Sequence, residues 1–115
     1  MSRRTSDYLR HILDETAYLR SVSQGLKREQ FLTDGTLKRA CVRSLEIIGE
    51  AVKNLPADFR QDHCEIEWRL LAGMRDRLIH QYFGVDYEVV WDAITQNIPE
   101  LDSQVRQILA DQVDS

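Results

Sequence analysis

The segment GMRDRLIHQY, residues 73–82, gathers two arginines, an aspartate, a histidine and a tyrosine into about three turns of helix. Asp76 and His80 stand four residues apart and share a helix face. There a carboxylate can accept a hydrogen bond from one imidazole nitrogen and hold the ring in a single tautomer. Arg75 and His80 stand five apart, roughly 140° around a helix that turns about 100° per residue, so they do not simply stack. Three arrangements follow: Arg75 curls toward His80, it meets the histidine of another copy, or the helix distorts near Gly84. An imidazole that titrates near neutrality beside a guanidinium suits phosphodiester transfer. The histidine moves a proton at a ribose 2′-OH or a leaving 5′-oxygen, and the arginine stabilises charge on the phosphoryl oxygens. RNA carries its own nucleophile, so such chemistry needs no metal. The same residue types also make ordinary surface ion-pair networks, and their spacing alone leaves both readings open.

The elements that must position these residues read as helices throughout. Leu9, Ile12, Leu13, Thr16, Leu19 and Val22 recur at steps of three and four, which predicts a helix from about Ser6 to Ser23 ending near Gly25. Residues 26–32 read as a short second helix or turn. Thr33 and Asp34 offer an N-cap for a long third helix, in which Leu37, Cys41, Leu45, Ile48, Val52 and Leu55 keep helical spacing until Pro56 stops it. A short helical turn over 56–63 precedes a helix expected from about Glu65 to Phe83, broken at Gly84. Asp86 then caps another helix. Pro99 fits a first-turn position, so the tail reads as a kinked continuation or a separate last helix. The pattern predicts one all-α domain over residues 1–115, an up-and-down bundle of four or five antiparallel helices. Trp68 and Trp91, at helical spacing with Leu71 and Ile94, read as core anchors. Gly49 and Gly73 each cost a helix roughly 1 kcal/mol relative to Ala, and each could admit a second backbone, from the same bundle or from another copy.

Composition bounds the partners. The chain has 115 residues, 43% of them hydrophobic and 30% charged, as in an ordinary globular domain. No apolar run approaches the roughly 20 residues of a membrane helix and the N-terminus lacks the core of a signal peptide, so a cytoplasmic location is expected. The net charge of −4 hides a gradient: residues 1–50 are slightly basic, 51–83 neutral, and 84–115 carry one basic residue against seven acidic. This is not the footprint of a dedicated nucleic-acid binder, and any RNA contact must be local, through a few arginines. The acidic tail reads as a solvated helix face. Cys41 and Cys64 show no metal-ligand spacing and read as reduced packing residues, and His11 and His63 as surface or packing residues.

Arg75, His80 and Tyr82 are arranged as Arg-x4-His-x-Tyr within GMRDRLIHQYFGVDYEVVW, and this resembles the RX4HXY signature of HepT-like proteins of the HEPN superfamily. IIGEAVKNLP (residues 47–56) with the FR that follows, and DYLRHILD near the N-terminus, resemble the flanking helices of that family, so the likeness covers nearly the whole chain. It implies a helical homodimer that acts as a metal-independent ribonuclease toxin of type VII toxin–antitoxin pairs, with both motifs facing one cleft. Pooling two Arg75 and two His80 there would resolve the 140° separation. The resemblance makes Arg75 the phosphate-binding residue, His80 the general acid or base, and Asp76 an orienting polar residue. Arg77 lies outside the signature and reads equally as an auxiliary phosphate contact or a plain surface charge. Tyr82 matches the tyrosine that a partner nucleotidyltransferase antitoxin modifies with AMP, using ATP and Mg²⁺. No cofactor of the chain's own is expected. A second reading makes the chain a non-catalytic subunit of a minimal nucleotidyltransferase, and a third a structural helical dimer.

Overall fold

In the computed structural model, which describes residues 1–80 and 84–114, local capping decides most element boundaries. The Ser2 hydroxyl accepts a hydrogen bond from the Thr5 N–H at 3.1 Å, so α1 (Arg3–Ser23) begins at Arg3 rather than Ser6. Gly25, at φ +74°, supplies the left-handed turn into α2 (Arg28–Thr33). Asp34 accepts from the Leu37 N–H at 3.0 Å and opens α3 (Gly35–Lys53). α3 ends at Lys53, with Asn54 as its C-cap, so Leu55 lies beyond the helix expected to run to Pro56, and Pro56 leads into α4 (Ala57–Asp62).

The next helix starts later than its pattern suggests. The Trp68 indole N–H donates to the His63 carbonyl at 3.0 Å and the Trp68 amide to the Ile66 carbonyl at 2.9 Å. Residues 63–67 are therefore a turn, and α5 (Trp68–His80) begins at Trp68 instead of Glu65, while its expected end at Phe83 lies outside the described residues. Cys64 sits in this turn, exposed, and is not the packing residue expected; Cys41 is, fully buried on α3. Trp68 is buried and Trp91 rests on Phe31 with ring centroids 5.2 Å apart, so both tryptophans anchor the core as their spacing indicates.

Asp86 caps α6 (Tyr87–Asp92), its carboxylate accepting from the Glu88 and Val89 amides. A π-helical turn, Ala93–Asn97, follows and runs directly into α7 (Ile98–Asp114). Pro99 explains it. The ring has no N–H for a bond back one turn and crowds the carbonyl four residues earlier, so the helix widens and the Ile98 amide reaches the Ala93 carbonyl five residues back. The Thr95 hydroxyl donates to the Trp91 carbonyl at 2.9 Å inside the widened turn. The tail is thus a continuation of α6 through a π-helical turn.

Four long helical runs, α1, α3, α5 and the joined α6–α7, make an all-α bundle, with α2 and α4 as short connectors. α3 packs against both α1 and α5, and α7 against α1. Early α1 (Tyr8, His11) meets late α3 (Glu50, Asn54), while Glu15 meets Ser44, which makes these two antiparallel. Leu9, Ile12 and Leu19 of α1 join Leu45, Ile48 and Val52 of α3 and Leu101 and Val105 of α7 in one core. Each such side chain contributes about 1.5–3 kcal/mol on burial. Among the described residues no helix is long and apolar enough to cross a membrane.

One member of the acidic tail is not solvated. Asp102 is fully buried and accepts hydrogen bonds from Thr16 at 2.8 Å, from Arg20 at 2.7 Å and from Arg106 at 3.3 Å. Burial pushes its carboxyl upward, but these donors outweigh burial and hold it below the usual carboxylate range. A folded-state value below the unfolded one means that the stabilisation is fully present above the unfolded value, about 3.9, and is lost as pH falls through the folded value. Asp102→Asn should therefore cost about 1–3 kcal/mol at neutral pH and flatten the acid side of the stability profile. Thermal unfolding followed from pH 7 downward checks this, and an unchanged acid limb would refute it.

Candidate functional site around Arg75

α5 approaches α3 tightly at Gly49. A Cβ there would collide with Cβ of Arg75 and lie 2.9 Å from its Cγ and 3.0 Å from the Leu71 carbonyl oxygen, so the crossing requires glycine. The backbone that Gly49 admits belongs to α5 of the same chain. Gly73 differs: a Cβ there would meet nothing within 4 Å.

This crossing sets the start of the Arg75 side chain against α3, which supplies partners for its guanidinium. Nη2 lies 3.0 Å from Glu50 Oε2, and Nη1 donates to Asp76 Oδ1 at 3.0 Å. Asp76 Oδ1 also accepts from Lys53 Nζ at 2.9 Å, which closes a chain of alternating charges from Lys53 to Glu50. The hydrogen bond from Lys53, then that from Arg75, holds the Asp76 carboxyl below its ordinary range. Glu50 and Asp76 are about half exposed (55% and 47%), so each pair adds little stability. Their effect is positional. They fix the plane of a guanidinium whose remaining N–H donors can take a phosphate.

The structure brings Arg75 and Asp76 together and leaves the other motif residues apart. His80 is the last described residue of α5, is exposed, and has no hydrogen-bond or ion-pair partner among the described residues. Asp76 does not hold its ring, although the two share a face; its Oδ1 accepts from Lys53 and Arg75 instead. Arg75 does not curl toward His80 either; it turns to α3. Arg77 is exposed and borders a hollow with Met74, Asp86 and Val89, away from the Arg75 guanidinium. Tyr82 lies outside the described residues. No three His, Cys, Asp or Glu among the described residues cluster closely enough to hold a metal.

Arg75 lines an open groove of about 410 Å³ bounded by α1, α3 and α5. Tyr8 and His11 form its α1 wall and Arg43, Ile47 and Glu50 its α3 wall. In the sequence His11 reads as a surface or packing residue, and nothing there marks Arg43, Glu50 or Lys53. The local signal available was their helical register: Tyr8 and His11 lie three apart, and Arg43, Ile47 and Glu50 follow one another at steps of four and three. Only the Gly49 crossing puts them next to Arg75.

An all-helical bundle with a clamped arginine opening on a groove defines the class of protein, and comparison with known proteins gives the family. Residues 12–108 match the model of the HepT-like family, described as ribonuclease HepT-like. A protein of Caldanaerobacter subterraneus subsp. tengcongensis, provisionally named an RNase, is 55% identical over 102 residues, covering 89% of this chain and 91% of its own length. One from Thermococcus cleftensis, provisionally named ribonuclease HepT, is 43% identical over 108 residues, covering 94% of this chain and 98% of its own. A third, provisionally named an RNase of Methanocaldococcus jannaschii, is 42% identical over 104 residues, or 90% of this chain and 86% of its own. The chain belongs to the HepT-like ribonuclease family. No solved structure matches it significantly.

Proposed function

We propose that the chain is a metal-independent endoribonuclease and the toxin half of a toxin–antitoxin pair, working as a homodimer. The observation that carries this reading is the Arg75 guanidinium, held by Glu50 and Asp76 on the wall of an open groove in a fold of the HepT-like ribonuclease family. Arg75 binds the scissile phosphate and stabilises the charge that grows on its oxygens. His80 takes the proton of the ribose 2′-OH, the 2′-oxygen attacks phosphorus, and the 5′-oxygen leaves with a proton, so the ends are a 2′,3′-cyclic phosphate and a 5′-hydroxyl. Because Arg75 turns away from its own His80, the site is read as composite, with Arg75 of one copy acting beside His80 of the other. Asp76 positions Arg75.

Tyr82 is the switch in this reading. Its hydroxyl oxygen attacks the α-phosphorus of ATP on a partner nucleotidyltransferase that uses Mg²⁺, pyrophosphate leaves, and the phenolic proton passes to solvent. The added phosphodiester brings negative charge and bulk next to the motif and repels RNA. The test of the catalytic reading is incubation of the purified, unmodified protein with total RNA in chelator. Fragments ending in 2′,3′-cyclic phosphate are expected. No cleavage, or cleavage that chelator stops, would overturn it.

A further inference from the structure

Arg75 shares its groove with the imidazole of His11, not with that of His80. Tyr8 and His11 stand one helical turn apart on α1, their rings edge to face with centroids 6.4 Å apart. Tyr8 is partly buried against the core, which fixes its ring, while His11 is exposed. Arg43 is 72% exposed, and its closest ionic partner among the described residues is Glu46 at 4.0 Å, so its guanidinium is nearly uncommitted. Arg43 and Glu50 lie on one face of α3, seven residues and so about 10 Å apart along the axis. Since Glu50 holds Arg75, the two guanidiniums mark the groove at two points, a separation that a few stacked nucleotides at about 3.4 Å each would span.

We propose that the groove between α1, α3 and α5 binds the single-stranded RNA nucleotides that flank the scissile phosphate, with Tyr8 as a base-stacking face, His11 as a hydrogen-bond donor and Arg43 as the contact to a neighbouring phosphate. This rests on Arg75 as the holder of the scissile phosphate. Single strands fit the chemistry of the walls: a fixed aromatic ring stacks on any base, and exposed cations track the backbone. Glu46 and Glu50 keep the groove near neutral, so its grip is local and short, consistent with a chain of net charge −4.

The test uses the full chain and a short, labelled 2′-O-methyl RNA, which cannot be cut because its 2′-oxygens are blocked, with binding measured by fluorescence anisotropy over a range of salt. Arg43→Ala is expected to weaken binding about 5- to 10-fold and to reduce the slope of log affinity against log salt by about 0.7, the loss of one single-strand phosphate contact. Tyr8→Leu, which keeps bulk and removes the aromatic face, should weaken it at least about 5-fold. His11→Ala should raise KM for cleavable RNA more than it lowers kcat. Arg28→Ala, on α2 and paired with Glu88, is the control for loss of any surface cation. Arg43→Ala and Tyr8→Leu proteins that fold and bind with unchanged affinity and salt slope would overturn the proposal, as would an Arg28→Ala loss equal to that of Arg43→Ala. If Arg75→Ala still loses cleavage in that case, the catalytic reading survives alone. If the protein cuts no RNA yet binds the blocked strand through Arg43 and Tyr8, the groove stands and the catalytic reading fails.

Discussion

Arg75→Ala and His80→Ala proteins, each purified alone, are expected to lose RNA cleavage by about 10²–10⁴-fold, and a mixture of the two to recover part of it. The individual losses follow from the roles: a charge-stabilising donor is worth roughly 10²–10³ in rate and a positioned acid–base group roughly 10²–10⁴. The recovery follows from the geometry. Arg75 is clamped toward α3 by Glu50 while His80, the last described residue of α5, stands exposed. In a two-fold dimer whose sites each pair Arg75 of one copy with His80 of the other, the mixed dimer loses both groups from one site and keeps both in the second. Half of the sites in each mixed dimer are then intact. If each site took both groups from one chain, every site in the mixture would lack one of them, and cleavage would stay at the level of the single variants after exchange of subunits.

Gly49→Ala should cost folding stability and lower cleavage about 10²-fold, whereas Gly73→Ala should not destabilise the monomer. In an open helix either change favours folding by roughly 1 kcal/mol. At Gly73 nothing opposes that gain, because the new Cβ meets no atom within 4 Å. At Gly49 it meets Cβ of Arg75 and the Leu71 carbonyl, neither of which is the far end of a flexible side chain. Forcing α3 and α5 apart costs about 1–3 kcal/mol and displaces the guanidinium from Glu50. A shift of the order of 1 Å in a positioning group is enough for about 10²-fold in rate. Urea unfolding and single-turnover cleavage measure the two effects. A Gly49→Ala protein that is as stable and as active as its parent would show that the crossing does not set the site.

What the sequence makes legible is what neighbours along the chain decide. The apolar stripe of α1, the caps at Asp34 and Asp86 and the irregular turn before Pro99 are all local, and each is found where its residue type places it. The widened turn is not legible, because a missing amide at Pro99 can be met by bending as well as by a longer hydrogen bond. The start of α5 is not legible, because Glu65 and Glu67 suit a helix while the Trp68 indole commits to the His63 carbonyl. At the site, Arg75 and Asp76 are visible in their motif, but their partners Glu50 and Lys53 come from another helix. The burial of Asp102 depends on Arg20 and Thr16, from the opposite end of the chain, and nothing near position 102 announces them. The family that the motif and its flanking helices indicated is the one whose model matches residues 12–108.

The two cysteines give the molecule a single chemical handle. Cys41 is sealed within α3 packing, and burial, with the nearby Asp34 charge adding to it, pushes its thiol up to about 11, so at neutral pH almost none of it is the reactive thiolate. Cys64 is open to solvent in the turn just ahead of α5. A maleimide probe will therefore attach at one place per chain, without any substitution, at the entry to the helix that carries Arg75. Pairs of such probes, one per copy, turn the mutual placement of two α5 helices into a distance that can be read in solution.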